Sequence, residues 1–283
     1  MFVGMETEKL DRLREILRSY RSCVIAYSGG VDSVFLAYMA NQVLGERSIA
    51  VIADSGSLAR REFDEALALG RQFGFPVEVI RTTEFDNENY LKNGVDRCYF
   101  CKSALFEKLV PLARSGGYQV IAYGENLDDA SDIRPGGRAA AEFQVRAPLK
   151  ESGLSKAEIR EFSRQLGLPT ADKPQMACLS SRIPHGDPVS QAKLESVEKA
   201  EYFLSDAGFS GARVRCHELK HGLLARIEIQ PEDWHRIGDR ELGVSIEKSL
   251  RSFGFSLVTL DLGGYKRGGR PDAQPRTEST NSA

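Results

Sequence analysis

The run Cys23-Val24-Ile25-Ala26-Tyr27-Ser28-Gly29-Gly30-Val31-Asp32-Ser33 joins a short apolar stretch to a glycine pair flanked by hydroxyls, and a second apolar stretch, Val34 to Ala40, follows at once. This order predicts a buried strand, a tight turn and a helix. Two adjacent glycines allow the backbone to turn sharply and to bring successive N–H groups onto a phosphate, while the helix N-terminus adds its positive dipole end. Ser28 and Ser33 add hydroxyl donors, and Asp32 places an acid in the first helical turn. Neither the Gly-Lys-Ser/Thr ending of a Walker loop nor the spacing of a dinucleotide fingerprint is present. A glycine turn with a capping serine is the plain structural alternative.

Outward from this loop, strands and helices alternate. Leu10, Leu13, Ile16 and Leu17 recur at helical spacing and predict an amphipathic helix from about Glu6 to Ser19. Further strands are predicted at Ser48 to Ala53, Pro76 to Ile80 and Gln119 to Ala122, with helices ending near Leu44, Phe73 and Arg114 and a polar, irregular stretch from Thr82 to Val95. The pattern is that of an α/β, doubly wound parallel sheet. Ligands of such sheets lie outside the carboxyl ends of the strands, which sets Asp54, Ser55, Gly124, Asn126, Asp128 and Arg134 beside the glycine loop. Asp128, Asp129 and Asp132 are suited to hold Mg²⁺ through water, and a merely solvated acidic loop fits the same residues.

Ser155, with Glu158 three residues on, caps a helix closed by Gly167. A crossing with Pro169, Pro174, Pro184 and Pro188 then reads as an interdomain link. The expected organisation is a nucleotide-binding domain over 1–185, a smaller α+β domain over 186–262 and a disordered tail over 263–283, where apolar residues almost vanish. At 283 residues both domains can bury a core. A net charge of -2 disfavours nucleic acid as the main partner. No apolar run is long enough for a bilayer and no signal-peptide core is visible, so the expected setting is cytoplasmic, with no membrane partner.

Five cysteines, an odd number, argue for thiols or metal ligands rather than a disulfide framework. Cys98 and Cys101 form a C-x-x-C pair, and Cys178 is a third thiol in the proline-rich link. Soft thiolates at this spacing suit zinc, an iron–sulfur cluster or redox exchange. No matching second pair completes a zinc site, whereas three cysteines suit a cubane with one open iron; reduced packing thiols are the alternative. Cys23 and Cys216 fall in strands and read as packing residues. Arg213 and Arg215 flank Val214, so the two-residue period puts both guanidiniums on one strand face, able to clamp a phosphate. Ser180, Ser181 and Arg182 beside Cys178 would complete a second anion site, while a solvated strand face is the default for such arginines.

The S-G-G-V-D-S loop resembles the pyrophosphate loop of the ATP pyrophosphatases. Together with Asp54-Ser55, Arg97-Cys98-x-x-Cys101-Lys102, Gly124-x-Asn126, Arg134-Pro135-Gly136, Ala177-Cys178-Leu179-Ser180-Ser181-Arg182 and Arg213-Val214-Arg215, in that order, it is similar to the LarE family of ATP-dependent sulfur transferases of nickel-pincer cofactor synthesis. The resemblance runs from about Arg21 to Leu260. It implies that a carboxylate of pyridinium-3,5-biscarboxylic acid mononucleotide attacks the α-phosphate of Mg-ATP, and that sulfur then displaces AMP to leave a thiocarboxylate. Ser28, Gly29, Gly30, Asp32, Ser33, Asp54, Ser55, Gly124, Asn126, Asp128 and Arg134 would bind ATP, and Asp32, Lys102 and Cys178 would be catalytic. Ser180, Arg182, Arg213 and Arg215, with Glu201 and Glu228, would hold the substrate phosphate. Cys98, Cys101 and Cys178 match the three-cysteine version of the family, which binds a [4Fe-4S] cluster; members with the linker cysteine alone sacrifice its sulfur. A sulfide donor, and homo-oligomers of hexameric order, are implied by the resemblance only.

Competing readings are another adenylating enzyme of the superfamily, either a tRNA thiolase or an amide-forming synthetase, and a non-catalytic nucleotide sensor whose cysteines report redox state. The first would need a basic RNA surface, and the second a glutaminase or ammonia channel that is not evident.

Overall fold

Four parallel strands run in the order β3-β2-β1-β4: β1 (Cys23–Tyr27), β2 (Ser48–Asp54), β3 (Val77–Arg81) and β4 (Val120–Tyr123). The computed structural model describes residues 2–131, 135–174 and 177–265. Helix α1 (Phe2–Tyr20) precedes β1; α2 (Val31–Leu44), α3 (Arg60–Phe73), α4 (Glu88–Leu91) and α5 (Arg97–Ser115) fall between the strands; α6 (Pro135–Glu142), α7 (Pro148–Glu151) and α8 (Lys156–Gln165) follow β4. The chain divides into two compact units, Met1–Cys178 and Leu179–Ala283.

Alternation along β1 sorts the first unit into layers. Cys23, Ile25 and Tyr27 pack with Leu13 and Leu17 of α1, Phe35 of α2, Ala66 of α3 and Ile159 of α8. Val24 packs on the other side with Phe106 and Leu109 of α5 and Ala139 of α6. Successive strand residues point to opposite faces, so an almost wholly apolar strand requires helices on both. Burial of this kind contributes about 25 cal/mol per Å² of apolar surface. The expected doubly wound sheet is therefore the observed one.

The strand order reverses between β1 and β4, because β2 and β3 extend the sheet to one side before β4 returns to the other. A crevice opens at such a switch point, outside the carboxyl ends of the two strands. Ser28 follows β1 there, and Gly124 follows β4. The stretch from Thr82 to Val95, expected to be irregular, carries α4 and buries Glu84, Tyr90 and Asn93. Asn87 caps α4 by accepting the Asn89 N–H, a local bond that composition alone does not reveal.

The second unit holds α9 (Gln191–Asp206), β5 (Arg213–Leu219), β6 (Gly222–Glu228), α10 (Arg240–Ser252) and β7 (Phe255–Leu260). Its sheet runs β5-β6-β7, with the first pair antiparallel and the second parallel. Val214, Cys216, Ala225 and Ile227 are buried, as are Leu194, Val197 and Leu250 of the helices. Of the segment expected to be a disordered tail, 266–283 lies outside the described residues. Among the described residues no helix is long and apolar enough to cross a membrane.

Candidate active site

The glycine loop is braced by its own serines. The Ser28 N–H donates to Ser33 Oγ at 3.2 Å, the two hydroxyl oxygens lie 3.1 Å apart, and Ser33 Oγ donates to the Gly30 carbonyl at 3.0 Å. Gly29 has φ +73°, and a Cβ there would lie 2.7 Å from the Ala66 Cβ, so conformation and packing both require glycine. Gly30 caps α2 without any side-chain bond, which leaves the first N–H groups of the helix to an anion. Gly124 faces this loop closely: a Cβ on it would lie 3.0 Å from the Ser33 nitrogen.

A cleft of about 240 Å³ opens here, lined among others by Ser28, Gly30, Asp32, Lys102, Gly124 and Asp129. Asp32 forms an ion pair with Lys156, while its Oδ1 is buried with no partner among the described residues. Burial raises the Asp32 carboxyl above its ordinary range, with Asp129 adding to the rise and Lys156 and Asn126 opposing it. The buried Asn126 orders the opposite rim: its Oδ1 accepts the Asp128 N–H at 2.9 Å, and Asp128 Oδ2 accepts the Lys156 N–H at 2.9 Å. The Lys102 ammonium stands 4.5 Å from the centre of the Tyr123 ring, and burial lowers its pKa although Glu125, Cys98 and Asp129 pull the other way.

At the end of β2, Asp54 is held by Arg60 at 2.5 Å, and the Ser55 hydroxyl donates to the buried Glu84 carboxylate. The side chains at the end of β2 that the resemblance assigns to ATP binding are thus engaged within the protein. Arg134 and Asp132, named from the sequence, lie outside the described residues.

Cys98 and Cys101 occupy the first turn of α5, where residues three apart share a face. Cys98 and Cys178 are exposed and Cys101 is partly buried. Burial pushes the Cys101 thiol well above its ordinary range, and the nearby Cys178, Glu84 and Cys98 push it further, against Arg97. Of the three cysteines named from the sequence, Cys98 and Cys178 thus both lie within electrostatic reach of Cys101. A buried thiol whose ionisation is opposed by two neighbouring thiols is a donor suited to a group that brings positive charge. Among the described residues, however, no three His, Cys, Asp or Glu side chains are arranged to hold a single metal ion. Cys23 and Cys216 are buried in their strands, pushed up to about 12 and about 11 by loss of solvent.

A second cleft of about 380 Å³, lined among others by Thr83, Asp86, Phe100 and Glu107, has no glycine loop, and its carboxylates do not suit a polyphosphate.

In the second unit the arginines named from the sequence come together. Arg182 is buried and binds Glu201, whose Oε1 also accepts the Val214 N–H at 3.0 Å. Arg215 holds Glu228 through Nη2 at 3.0 Å and the Ser181 carbonyl through Nη1 at 2.9 Å. Arg226, which stands opposite Arg215 across the ladder, shares the same carboxylate at 3.2 Å and also pairs with Asp261. Arg213 is different: it donates to the carbonyls of Gly211 and Ala212, and its guanidinium lies 5.7 Å from the Tyr265 ring centre. Burial lowers its pKa, and the positive charges of Arg182 and Arg215 act the same way. Sequence reasoning missed Lys156, Glu84 and Arg226. Lys156 had a legible signal, as the residue between the capping serine and its glutamate at a helix start.

The NAD synthase family model matches residues 7–94, the part that holds the glycine loop and the first three strands. An uncharacterized protein of Synechocystis sp., slr1717, is 43% identical over 93% of this chain and 97% of its own length. A tRNA-specific 2-thiouridylase of Rickettsia rickettsii is 28% identical, over only 53% of this chain and 51% of its own. The pyridinium-3,5-bisthiocarboxylic acid mononucleotide synthase of Lactiplantibacillus plantarum is 33% identical over 93% of both chains. Since this last relative is 33% identical over nearly the whole length of both chains, the chain belongs to the LarE family of pyridinium-3,5-bisthiocarboxylic acid mononucleotide synthases, ATP-dependent sulfurtransferases built on the PP-loop fold.

Proposed function

We propose that the protein adenylates a carboxylate of pyridinium-3,5-biscarboxylic acid mononucleotide and converts it to a thiocarboxylate in nickel-pincer cofactor synthesis. The observation that carries this reading is Lys102. It lines the phosphate cleft and lies within the fields of Cys98 and Cys101 at the start of the same helix, so nucleotide chemistry and sulfur chemistry adjoin.

The chain's own residues supply the binding and charge control. The N–H groups at the start of α2, which have no side-chain cap from Gly30, receive the polyphosphate. Asp32, whose buried Oδ1 has no partner among the described residues, is the direct oxygen ligand that would suit Mg²⁺, and Asp128 and Asp129 would reach it through water. A substrate carboxylate oxygen bonds to the α-phosphorus as the bond to pyrophosphate breaks, and the Lys102 ammonium offsets negative charge on the phosphoryl oxygens. A sulfur nucleophile then bonds to the acyl carbon, and AMP leaves with the electron pair of the C–O bond. Arg213, with its charge uncommitted to any carboxylate in the network described, is the anchor for the substrate phosphate. Arg182, Arg215, Ser180, Glu201 and Glu228 build the frame that holds it. A [4Fe-4S] cluster held by Cys98, Cys101 and Cys178 would supply sulfide to this site, and Cys178 would serve as the sulfur source without it.

Pyrophosphate release with and without the dicarboxylate mononucleotide tests the reading, together with the mass of the product and an iron and labile-sulfide count on oxygen-protected protein. Substrate-dependent release with a thiocarboxylate product is the expected result. Release that never depends on the mononucleotide would refute it. A colourless protein whose Cys178 loses sulfur after one turnover would reject the cluster alone.

A further inference from the structure

Lys156 is the first residue of α8, and two carboxylates from different strand ends hold it. Its ammonium pairs with Asp32 Oδ2 after β1, and its backbone N–H donates to Asp128 Oδ2 after β4. The residue is fixed in place. Ser155 and Glu158 form a reciprocal capping box around it, and Glu158 is tied to Lys9 at 2.7 Å. A cation in the first turn opposes the helix dipole, so the helix itself gives no reason for a lysine there. The partner does: one oxygen of Asp32 is neutralised by Lys156, while the other is buried and unpartnered among the described residues.

A carboxylate that is half neutralised by an internal ammonium has a divalent cation as its natural rival ligand, because Asp oxygens suit Mg²⁺ and a flexible four-carbon stem lets the ammonium move away. We infer that Lys156 is the internal counterion of Asp32 in the nucleotide-free protein, that a divalent cation competes with it for that carboxylate, and that the released ammonium binds the polyphosphate of ATP. This rests on the ATP-site reading above. Lys156 thereby keeps a buried acid neutralised before the nucleotide arrives, and couples cation entry to phosphate binding.

Mn²⁺ titration followed by electron paramagnetic resonance on the full chain, without nucleotide, reads the competition directly. Lys156→Met is expected to bind Mn²⁺ roughly fivefold tighter than the parent, and to bind ATP in excess Mg²⁺ roughly tenfold more weakly. Lys156→Arg, which keeps the charge, should restore the parent's Mn²⁺ affinity, and Asp32→Asn should lose the tight site in either background. Equal Mn²⁺ affinity of parent and Lys156→Met overturns the counterion role, and equal ATP affinity overturns the transfer to phosphate. If Lys156→Met does not fold, Lys156→Gln takes its place with the same expectations. A parent protein that binds Mn²⁺ but no ATP would instead refute the ATP-site reading.

Discussion

Glu201 gives both of its carboxylate oxygens to Arg182, at 2.9 Å to Nε and 3.0 Å to Nη2, and the guanidinium is only 3% exposed. A planar, two-bonded pair of this kind is stiff as well as charged, and the Val214 N–H joins it to the start of β5. Breaking a buried pair from one side is costly, because the remaining charge stays desolvated. Glu201→Ala should therefore destabilise the second unit by about 3 kcal/mol. Urea denaturation monitored at Trp234, which lies in that unit, measures the loss. A change below about 1 kcal/mol would mean that water already reaches the arginine.

Arg213 and Arg215 are alike in sequence and opposite in energetics. Arg215 is bound to Glu228 and the Ser181 carbonyl, whereas Arg213, among the described residues, donates to backbone carbonyls and faces the Tyr265 ring, and repulsion from Arg182 and Arg215 opposes the attraction of Glu201. Arg213→Ala should leave stability unchanged or slightly raised while increasing KM for the mononucleotide at least about tenfold. Arg215→Ala should lower both stability and affinity. Thermal unfolding and steady-state pyrophosphate release separate the two. Equal losses of stability in both variants would contradict the assignment of Arg213 as the anchor.

Much of this architecture is legible in the sequence. The apolar run Cys23 to Tyr27, the Gly29-Gly30 pair and the 3.6-residue periods fix strand, turn and helix because backbone sterics and burial act locally. The Ser155–Glu158 capping box was equally plain, since both of its partners sit in one turn. What sequence hid are partners far apart in the chain: Lys156 on Asp32, Glu84 on Ser55, and Arg226 sharing Glu228 with Arg215. Each belongs to a different element, and only the strand order brings the members together. The polar stretch from Thr82 to Val95 misled for a related reason, since Glu84 is buried by tertiary contacts that its hydrophilic neighbours do not announce.

Lys102 carries a built-in conflict between stability and function. Burial lowers its pKa below the ordinary 10.5, so the folded protein holds this proton less tightly than the unfolded chain does. Stability from this group therefore rises with pH across the window from the lowered value up to about 10.4, and the charged form destabilises the fold below it. Lys102→Met should raise the melting temperature near neutral pH, flatten that part of the stability–pH curve and abolish pyrophosphate release. Melting curves at several pH values check the sign. A variant less stable than the parent at pH 7 would show that the attraction of the Glu125 charge and the Tyr123 ring outweighs desolvation.

The thiols should divide by environment rather than by position in the chain. Cys98 and Cys178 are exposed, whereas Cys23 and Cys216 are buried with ionisation pushed up to about 12 and about 11. Only the thiolate reacts with a disulfide reagent, so at pH 8 in the metal-free protein the first two should be labelled quickly and the last two only after unfolding. Cys101 should be slow, and for a reason that mutation can isolate. Burial first, then the neighbouring Cys178 and the Glu84 charge, hold its proton in place. Glu84→Gln removes that charge and keeps the side chain's shape, so the Cys101 ionisation should move down and its labelling at fixed pH should accelerate. Mass spectrometry of labelled peptides over a pH series measures both. Were the Cys101 rate in Glu84→Gln the same as in the parent at every pH, burial and the other thiols would govern this thiol and the Glu84 carboxylate would have no electrostatic part in tuning it.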